Sequence, residues 1–165
     1  MYTLELTDNS IIFYNQKTKK LIIEDIPSNV IVNNKIYNFE KLKKIIKNII
    51  NKQNILNSFF KVKIKILIFE KYTPSDKYLA LNLFKDFSNI KPTLIYPLNN
   101  YDKKHILISG NKTYHINKDK LIPKEEYILI GYTKNPDTLF KIEEELNIKL
   151  IKYENSNTII YEQIV

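Results

Sequence analysis

The sequence predicts an α/β fold with mixed sheets, in which β-α-β units alternate with antiparallel hairpins. Three patterns favour this class. Short strand patterns separated by turn residues open the chain. Two strand-helix-strand patterns follow, each with a proline-containing helix start. A Gly-Asn pair at 110–111 separates two further strand patterns, as in a tight hairpin.

The first elements are predicted to form an antiparallel meander. Three strand patterns lie at Tyr2 to Leu6, Ile11 to Tyr14 and Lys20 to Glu24. A short apolar stretch, Val30 to Val32, comes next. Apolar residues then recur at helical spacing from Phe39 to about Lys52, with lysines on the opposite face.

The strongest local pattern is a β-α-β unit from Lys61 to Tyr96. The stretch Val62 to Phe69 alternates and then becomes apolar on both sides, which is typical of a central strand. Thr73 to Asp76 supplies an N-cap, a proline at the first helical position and an acidic residue, so a helix is expected to about Phe87. Leu94 to Tyr96 then returns as a parallel strand.

The last part of the chain predicts a hairpin and a second β-α-β unit. The expected elements are strands at Ile106 to Ser109 and Thr113 to Ile116, a strand at Tyr127 to Ile130, a helix at Asp137 to Leu146, and strands at Lys149 to Tyr153 and Thr158 to Tyr161. We expect residues 1–165 to form a single compact unit, with Lys118 to Glu126 as the junction between its halves.

Composition restricts the possible functions. The chain has 165 residues, 44% of them hydrophobic, enough for one domain with its own core. It has no cysteine, which excludes thiol catalysis, thiolate metal sites and disulfides, and we expect a cytoplasmic location. No signal peptide or transmembrane segment is expected. The net charge is +8, carried by lysine without arginine, and arginine is the residue that specific phosphate and base recognition favours.

Several segments resemble a known family in the same order along the chain. They are Ser10 to Tyr14, Ile26 to Asn33, Tyr37 to Glu40, Lys65 to Leu98, Tyr127 to Gly131 and Leu139 to Ile148. These segments resemble the MreB family of bacterial actins, which belongs to the ribonuclease H-like superfamily. The resemblance implies a reduced actin-like fold, with residues 1–104 as the first half and 105–165 as a truncated second half.

The resemblance also implies that the family's nucleotide loops are vestigial. The first phosphate hairpin corresponds to Glu5 to Asp8, where Thr7 stands without a glycine, and the second to Ser109 and Gly110. The nucleobase loop corresponds to Gly131. Because glycine lets backbone N–H groups approach phosphates, these departures predict that ATP hydrolysis is lost. We therefore expect no catalytic residue, no cofactor and no metal.

Three further groups of residues have both a functional and a plain interpretation. His105 and His115 form either a metal pair or ordinary strand histidines, and we favour the second. Asp8 is expected to cap a turn rather than to act with Glu5 in acid/base chemistry. The stripe Lys61, Lys63 and Lys65 either binds phosphates or guards an exposed sheet edge, and we favour the edge.

Partner contacts are expected on lysines and tyrosines. The candidates are Lys43, Lys44, Lys47, Tyr72, Tyr101 and Tyr132. The lysines suit an anionic partner, although a plain solvated helix face is the favoured interpretation. The tyrosines suit a protein interface.

The sequence thus favours a non-catalytic actin-like scaffold or adaptor that binds protein partners in a bacterial cytoskeletal, cell-shape or envelope-associated assembly. The expected partner is a bacterial actin filament or a second copy of the chain, and a peripheral contact with an anionic membrane is compatible with the charge. The alternative is a lysine-rich nucleic-acid-binding module, whose affinity would fall steeply with salt.

Overall fold

The computed structural model describes residues 1–55, 59–110, 112–116, 121–131, 138–154 and 160–162. Contacts divide the chain into two compact units, unit 1 (Met1–Ile95) and unit 2 (Tyr96–Val165). This differs from the expected single unit. The division also falls before the expected boundary between residues 104 and 105, and away from the expected junction at residues 118–126.

Unit 1 contains seven strands and two helices in its described residues. In chain order they are β1 (Tyr2–Leu6), β2 (Ser10–Asn15), β3 (Lys20–Asp25), β4 (Ile31–Val32), β5 (Lys35–Ile36), α1 (Phe39–Lys52), β6 (Val62–Leu67), α2 (Pro74–Asn82) and β7 (Ile90–Ile95). Five strands form one sheet in the order β3-β2-β1-β6-β7, and β4 pairs with β5. β1, β2 and β3 are antiparallel, whereas β6 is parallel to β1 and β7. The predicted meander and first β-α-β unit are confirmed.

Helix α1 has the predicted bounds because its apolar stripe is buried. Leu42, Ile46, Ile49 and Ile50 are all at most 1% exposed. The side chain of Asn38 accepts a hydrogen bond from the backbone N–H of Lys41, which caps the first turn. The helix therefore forms for the reason that its periodicity predicts.

Helix α2 begins as predicted and ends sooner. Thr73 and Asp76 form a reciprocal capping box at its start. The helix ends at Asn82 rather than near Phe87, and successive turns follow, with the N–H of Lys85 bonded to Asn82 and that of Phe87 to Phe84. Strand β7 is longer than predicted, because it begins at Ile90 instead of Leu94.

The position of strand β6 in the sheet shows that the edge-guarding interpretation of the lysine stripe is wrong. It lies between β1 and β7, so Lys61, Lys63 and Lys65 do not guard a sheet edge. Lys65 is only 8% exposed, and its pKa is lowered by burial and then by the charge of Lys63. Lys61 and Lys63, at the start of the strand, are exposed.

Unit 2 contains a four-stranded sheet and one α-helix in its described residues. The elements are β8 (His105–Ser109), β9 (Lys112–Tyr114), β10 (Glu126–Ile130), α3 (Thr138–Leu146) and β11 (Lys149–Glu154), with the sheet order β11-β10-β8-β9. β8 and β9 are antiparallel, and β10 is parallel to β8 and β11. The predicted hairpin and second β-α-β unit are confirmed. Of the predicted last strand, residues 158–159 lie outside the described part, and residues 160–162 form a helical turn.

The two units share one plan. In unit 1 the first strand of the β1-β2 hairpin pairs in parallel with β6, and β6 pairs in parallel with β7. In unit 2 the first strand of the β8-β9 hairpin pairs in parallel with β10, and β10 pairs in parallel with β11. Within its described residues, unit 2 has no counterpart of the third meander strand. In unit 2, Ile106, Ile108 and Leu129 pack with Ile142 of α3. The sequence order that led us to expect two related halves therefore corresponds to two sheets of matching connectivity.

Candidate functional site

The first predicted loop is a hairpin that satisfies its own hydrogen bonds. Thr7 N–H donates to the carbonyl of Ser10 at 3.0 Å, and the Thr7 hydroxyl lies 2.9 Å from both the carbonyl and the hydroxyl of Ser10. The hydroxyl of Thr7 also accepts from Ser10 N–H at 3.1 Å. Thr7 and Ser10 are 1% and 5% exposed. The polar groups of this turn thus bind one another.

Asp8, at the tip of this hairpin, binds a second turn. One carboxylate oxygen accepts from Asn34 N–H at 2.7 Å and the other from Asn33 N–H at 3.1 Å. Both asparagines have positive φ, 54° and 58°, so their adjacent N–H groups form a concave anion site. The carboxylate fills that site from within the protein. Asp8 therefore binds the turn between β4 and β5, whereas the sequence predicted that it would cap the turn in which it lies.

Glu5 is fully buried on β1. It lies opposite Ile12 on one side and Leu67 on the other. Thr3, two residues earlier and on the same face, lies opposite Lys65, the other buried charged side chain among the described residues of this sheet. Glu5 thus lies within the sheet, whereas Asp8 binds the β4-β5 turn.

The other two loops that the resemblance singles out lie in unit 2. Ser109 is fully buried at the end of β8, and Gly110 has a φ of 64°, as the hairpin turn requires. Gly131 follows β10 with a φ of 142°, and a Cβ on it would lie 2.5 Å from the carbonyl oxygen of Ile108. Its N–H donates to the carbonyl of Glu154 at 3.1 Å. Both glycines are thus explained by the local fold.

The histidines are held by separate partners. His105 Nδ1 lies 2.7 Å from the carboxylate of Asp102, and His115 Nε2 lies 2.6 Å from the carbonyl oxygen of Lys103. The His115 ring also packs edge-on against Tyr127. The described residues contain no group of three or more His, Asp or Glu side chains placed to hold a metal ion.

The three candidate lysines differ in what they contact. Lys43 forms a 2.9 Å ion pair with Asp86 and lies over the Phe39 ring. The ion pair raises the pKa of Lys43 and lowers that of Asp86. Lys44 and Lys47 are exposed. Of the three, Lys43 is engaged within unit 1.

The candidate tyrosines are not surface residues where the structure describes them. Tyr72 is 6% exposed and donates its hydroxyl to the carbonyl of Asn34 at 2.8 Å, so its assignment to a partner surface is corrected. Tyr101 is 9% exposed, and its hydroxyl has no hydrogen-bond partner within the described ranges. Burial, and then the charge of Glu154, raises the pKa of Tyr101 to about 12. Tyr132 lies outside the described residues.

Tyr101 lines a cavity of about 580 Å³ in unit 2. The lining includes Ile128 and Ile130 on β10, and it also carries an ion pair of 2.6 Å between Lys152 and Glu154. A volume of this size is in the range of small-molecule pockets. Asn100, His105, Lys152 and Glu154 supply the polar part of the lining, and the Tyr101 hydroxyl is shielded from solvent.

The most distinctive surface of unit 1 is the rim of the sheet at which its parallel strands begin, which is different from its edge strands, β3 and β7. β1, β6 and β7 run in parallel, so their amino ends share this rim. The end of β2 and the start of β3 join it, because Asn15 pairs with Lys20. Lys20 also donates to Gln53 just after α1, which brings the end of that helix to the same place.

Lysines and two phenylalanines occupy this rim. We call it the basic edge, and its exposed lysines and phenylalanines are Lys17, Lys19, Lys20, Lys52, Phe59, Phe60, Lys61, Lys63 and Lys91. Phe59 is fully exposed and Phe60 is 82% exposed. Every charged residue in its described segments, 15–20, 52–55, 59–63 and 89–91, is a lysine. Lys63 lies directly opposite Lys91 in the sheet, and such like-charged neighbours repel.

Sequence reasoning missed the basic edge. Its lysines come from separate segments that only the sheet topology brings together. One signal was present, because two aromatic residues, Phe59 and Phe60, directly precede β6, and Phe59 falls outside the alternation that Phe60 continues into the strand. Two adjacent aromatic residues outside any element are candidates for an exposed apolar patch.

Comparisons with known proteins give one distant similarity. No protein-family model matches the chain, and no curated protein matches it. Among solved structures, MreB5 of Spiroplasma citri bound to ADP matches with a TM-score of 0.46 and 13% sequence identity. The match covers 65% of this chain and 44% of the MreB5 chain. Similarity at this level carries no inference by itself.

Proposed function

We propose that this chain is a non-catalytic actin-like scaffold in a bacterial cytoskeletal, cell-shape or envelope-associated assembly, and that unit 1 contacts an anionic membrane through its basic edge. The observation that carries the membrane contact is the pair Phe59 and Phe60, exposed among lysines and without a neighbouring carboxylate in the described segments. Association with protein partners in that assembly is part of the proposal.

The chemistry of the basic edge fits an anionic bilayer. Lysines near a membrane that contains acidic lipids each contribute about 1 kcal/mol of attraction. An exposed phenylalanine that enters the acyl region gains up to about 3 kcal/mol from burial of its ring. Aromatic and basic residues on one surface are the combination used by peripheral membrane contacts. None of the helices in the described residues could span a bilayer.

The non-catalytic part of the proposal is supported by the loops. In unit 1 the Thr7–Ser10 turn binds its own side chains, and the carboxylate of Asp8 occupies the anion site at Asn33 and Asn34. A phosphate at that site would have to displace a carboxylate already held by two N–H groups. The actin-like part is supported by the sequence resemblance and by the matching order of elements in the two units.

Vesicle co-sedimentation tests the membrane contact. We expect the protein to sediment with vesicles that contain phosphatidylglycerol and to remain in solution with pure phosphatidylcholine vesicles. Replacing both Phe59 and Phe60 by serine is expected to weaken partitioning at least about tenfold, because two buried rings are lost. Phe140→Ser is the matched control, since Phe140 on α3 is 75% exposed and lies in unit 2.

Two outcomes would reject the membrane contact. One is equal binding to neutral and acidic vesicles. The other is a double serine variant that partitions like the parent protein. Binding to double-stranded DNA that falls steeply with salt and is unchanged by the phenylalanine replacements would instead favour the nucleic-acid-binding alternative.

A further inference from the structure

Within the described residues the two main sheets have four edge strands, and three of them are protected against pairing. β7 carries Pro92 near its centre, which cannot donate a hydrogen bond, and Lys91 beside it. β9 has only three residues. The pairing of β11 is irregular between Tyr127 and Ile128 of β10, and such an irregularity disrupts a regular edge. The fourth edge strand, β3, differs from all three.

Strand β3 is a regular, apolar edge. It pairs with β2 over its six residues without a register shift, and within the described residues no strand pairs with its outer side. Its centre is Leu21-Ile22-Ile23, with Leu21 39% and Ile23 41% exposed on one face. It has no proline, bulge or central charge. Such an edge is a template for an added strand.

The backbone of β3 fixes which residues an added strand can bond. Ile26 N–H donates to the Asn9 carbonyl at 3.0 Å, which extends the β2-β3 register by one pair. Because bonded and non-bonded pairs alternate in an antiparallel ladder, Lys20, Ile22 and Glu24 direct their backbone groups toward β2. Leu21, Ile23 and Asp25 therefore direct theirs outward.

We propose that β3 pairs with β3 of a second copy of this chain, antiparallel and about a two-fold axis at Ile22. In this register Leu21 and Ile23 exchange backbone hydrogen bonds with Ile23 and Leu21 of the second copy. Lys20 lies opposite Glu24 of the second copy, and Glu24 opposite its Lys20, in non-hydrogen-bonded pairs where side chains are closest. The hydrogen bond from Lys20 to Gln53 is with a neutral amide at 3.4 Å, so an ion pair can replace it.

Charge complementarity selects both the partner and the register. A shift of the axis to Ile23 places Ile22 opposite Glu24, and a shift to Leu21 places Lys20 opposite Ile22, and each shift removes both ion pairs. The strand sequence from Lys20 to Glu24 is thus complementary to itself in one allowed antiparallel register. A two-fold axis also doubles every favourable contact, as in most homodimers.

Charge reversal with mixing tests this interface. Lys20→Glu alone places two carboxylates opposite each other on both sides of the axis, and Glu24→Lys alone places two ammonium groups there. We expect each variant to raise the dimer dissociation constant by at least about tenfold in sedimentation velocity experiments. An equimolar mixture of the two variants is expected to dimerise better than either variant alone, because a mixed pair no longer has like charges on both sides of the axis.

The mixture has a defined arrangement of charges. In a mixed dimer, one side of the axis joins the introduced glutamate to the introduced lysine, and the other side joins the original Glu24 of one copy to the original Lys20 of the other. Every opposing pair is then of opposite charge, so the mixture is expected to reach the dissociation constant of the parent protein.

A backbone variant gives an independent readout. Ile23→Pro removes an outward N–H without removing a bond to β2, so the chain is expected to fold and to stay monomeric. Ile23→Lys adds a charge to the same edge and is compared with Ile151→Lys on β11, where Ile151 is 53% exposed. Only the change at Ile23 is expected to weaken the dimer.

The proposal is overturned by either of two results. One is a parent protein that remains monomeric at every concentration up to the limit of its solubility. The other is a mixture of the two charge variants that dimerises no better than either variant alone, while circular dichroism spectra show both to be folded.

Discussion

At the scale of single residues, Asp8 has a structural role that its sequence position alone does not reveal. Its carboxylate joins two hairpins that are distant in sequence, through the N–H groups of Asn33 and Asn34. Without this carboxylate, two adjacent N–H groups held at positive φ lose their acceptor. Hydrogen bonds to a charged group contribute more than neutral ones.

Replacing Asp8 by alanine is expected to lower the free energy of unfolding by about 1.5–3 kcal/mol, the usual value for a hydrogen bond to a charged group. Asp8→Asn should retain part of this, because an amide oxygen still accepts one bond. The measurement is urea unfolding at pH 7, with Glu145→Ala on the exposed face of α3 as the control. A change of less than about 0.5 kcal/mol for Asp8→Ala would contradict this role.

At the scale of elements, α2 shows a helix whose start is specified locally. The Thr73 hydroxyl accepts from Asp76 N–H at 3.2 Å, and the Asp76 carboxylate accepts from Thr73 N–H at 2.8 Å. The hydrogen bond from Thr73 N–H is the main cause that lowers the pKa of Asp76 below 3.8. The ammonium group of Lys35, 3.4 Å from the Asp76 carboxylate, lowers this pKa further. A lowered pKa means that the carboxylate form is favoured by folding.

The capping box predicts a pH-dependent contribution to stability. Thr73→Ala is expected to cost about 1 kcal/mol at pH 7. Because the folded pKa of Asp76 is depressed, its contribution is complete above the unfolded value near 4 and is lost as the pH falls through the folded value. The stability difference between the parent protein and Asp76→Asn should therefore shrink below about pH 4 in urea titrations, and an unchanged difference at about pH 3 would argue against it.

Sequence patterns predicted those helices and turns that are specified by residues close together along the chain. The cap and apolar stripe specify α1, the capping box specifies the start of α2, and Gly110 specifies the β8-β9 turn. The functional surfaces depend instead on which strands become neighbours. Periodicity places Lys63 on a strand, but only the sheet order places it opposite Lys91 and leaves β3 at an edge. The same limit explains why Tyr72 was assigned to a surface, since its buried contact with Asn34 joins distant segments.

At the scale of the whole molecule, two units of matching connectivity carry loops that lack the features of phosphate cradles. The chain has only two glycines, and both have local structural roles in unit 2. The corresponding β1-β2 turn of unit 1 is satisfied by the hydroxyls of Thr7 and Ser10, and the carboxylate of Asp8 binds the β4-β5 turn. The proposed scaffold role therefore predicts that the chain does not bind nucleotide.

Titration calorimetry with magnesium and ATP tests this inference on the full chain. We expect no saturable heat of ATP binding and no shift in the melting temperature. The reason is that the N–H groups of Ser10, Asn33 and Asn34 in unit 1 already donate to acceptors within the protein. Polyphosphate without a base is the control for charge attraction to the lysines. Saturable binding of ATP at micromolar concentration, with none of polyphosphate, would contradict a non-catalytic scaffold.

The basic edge also links folding to ionic conditions. Lys63 and Lys91 are brought face to face by β6-β7 pairing, so folding itself must work against their repulsion. Whatever neutralises these charges, whether dissolved salt or an anionic surface, favours the folded sheet by mass action. The surface that unit 1 is proposed to bind would therefore also act as its stabiliser, and the protein would be least stable when it is unbound in dilute solution.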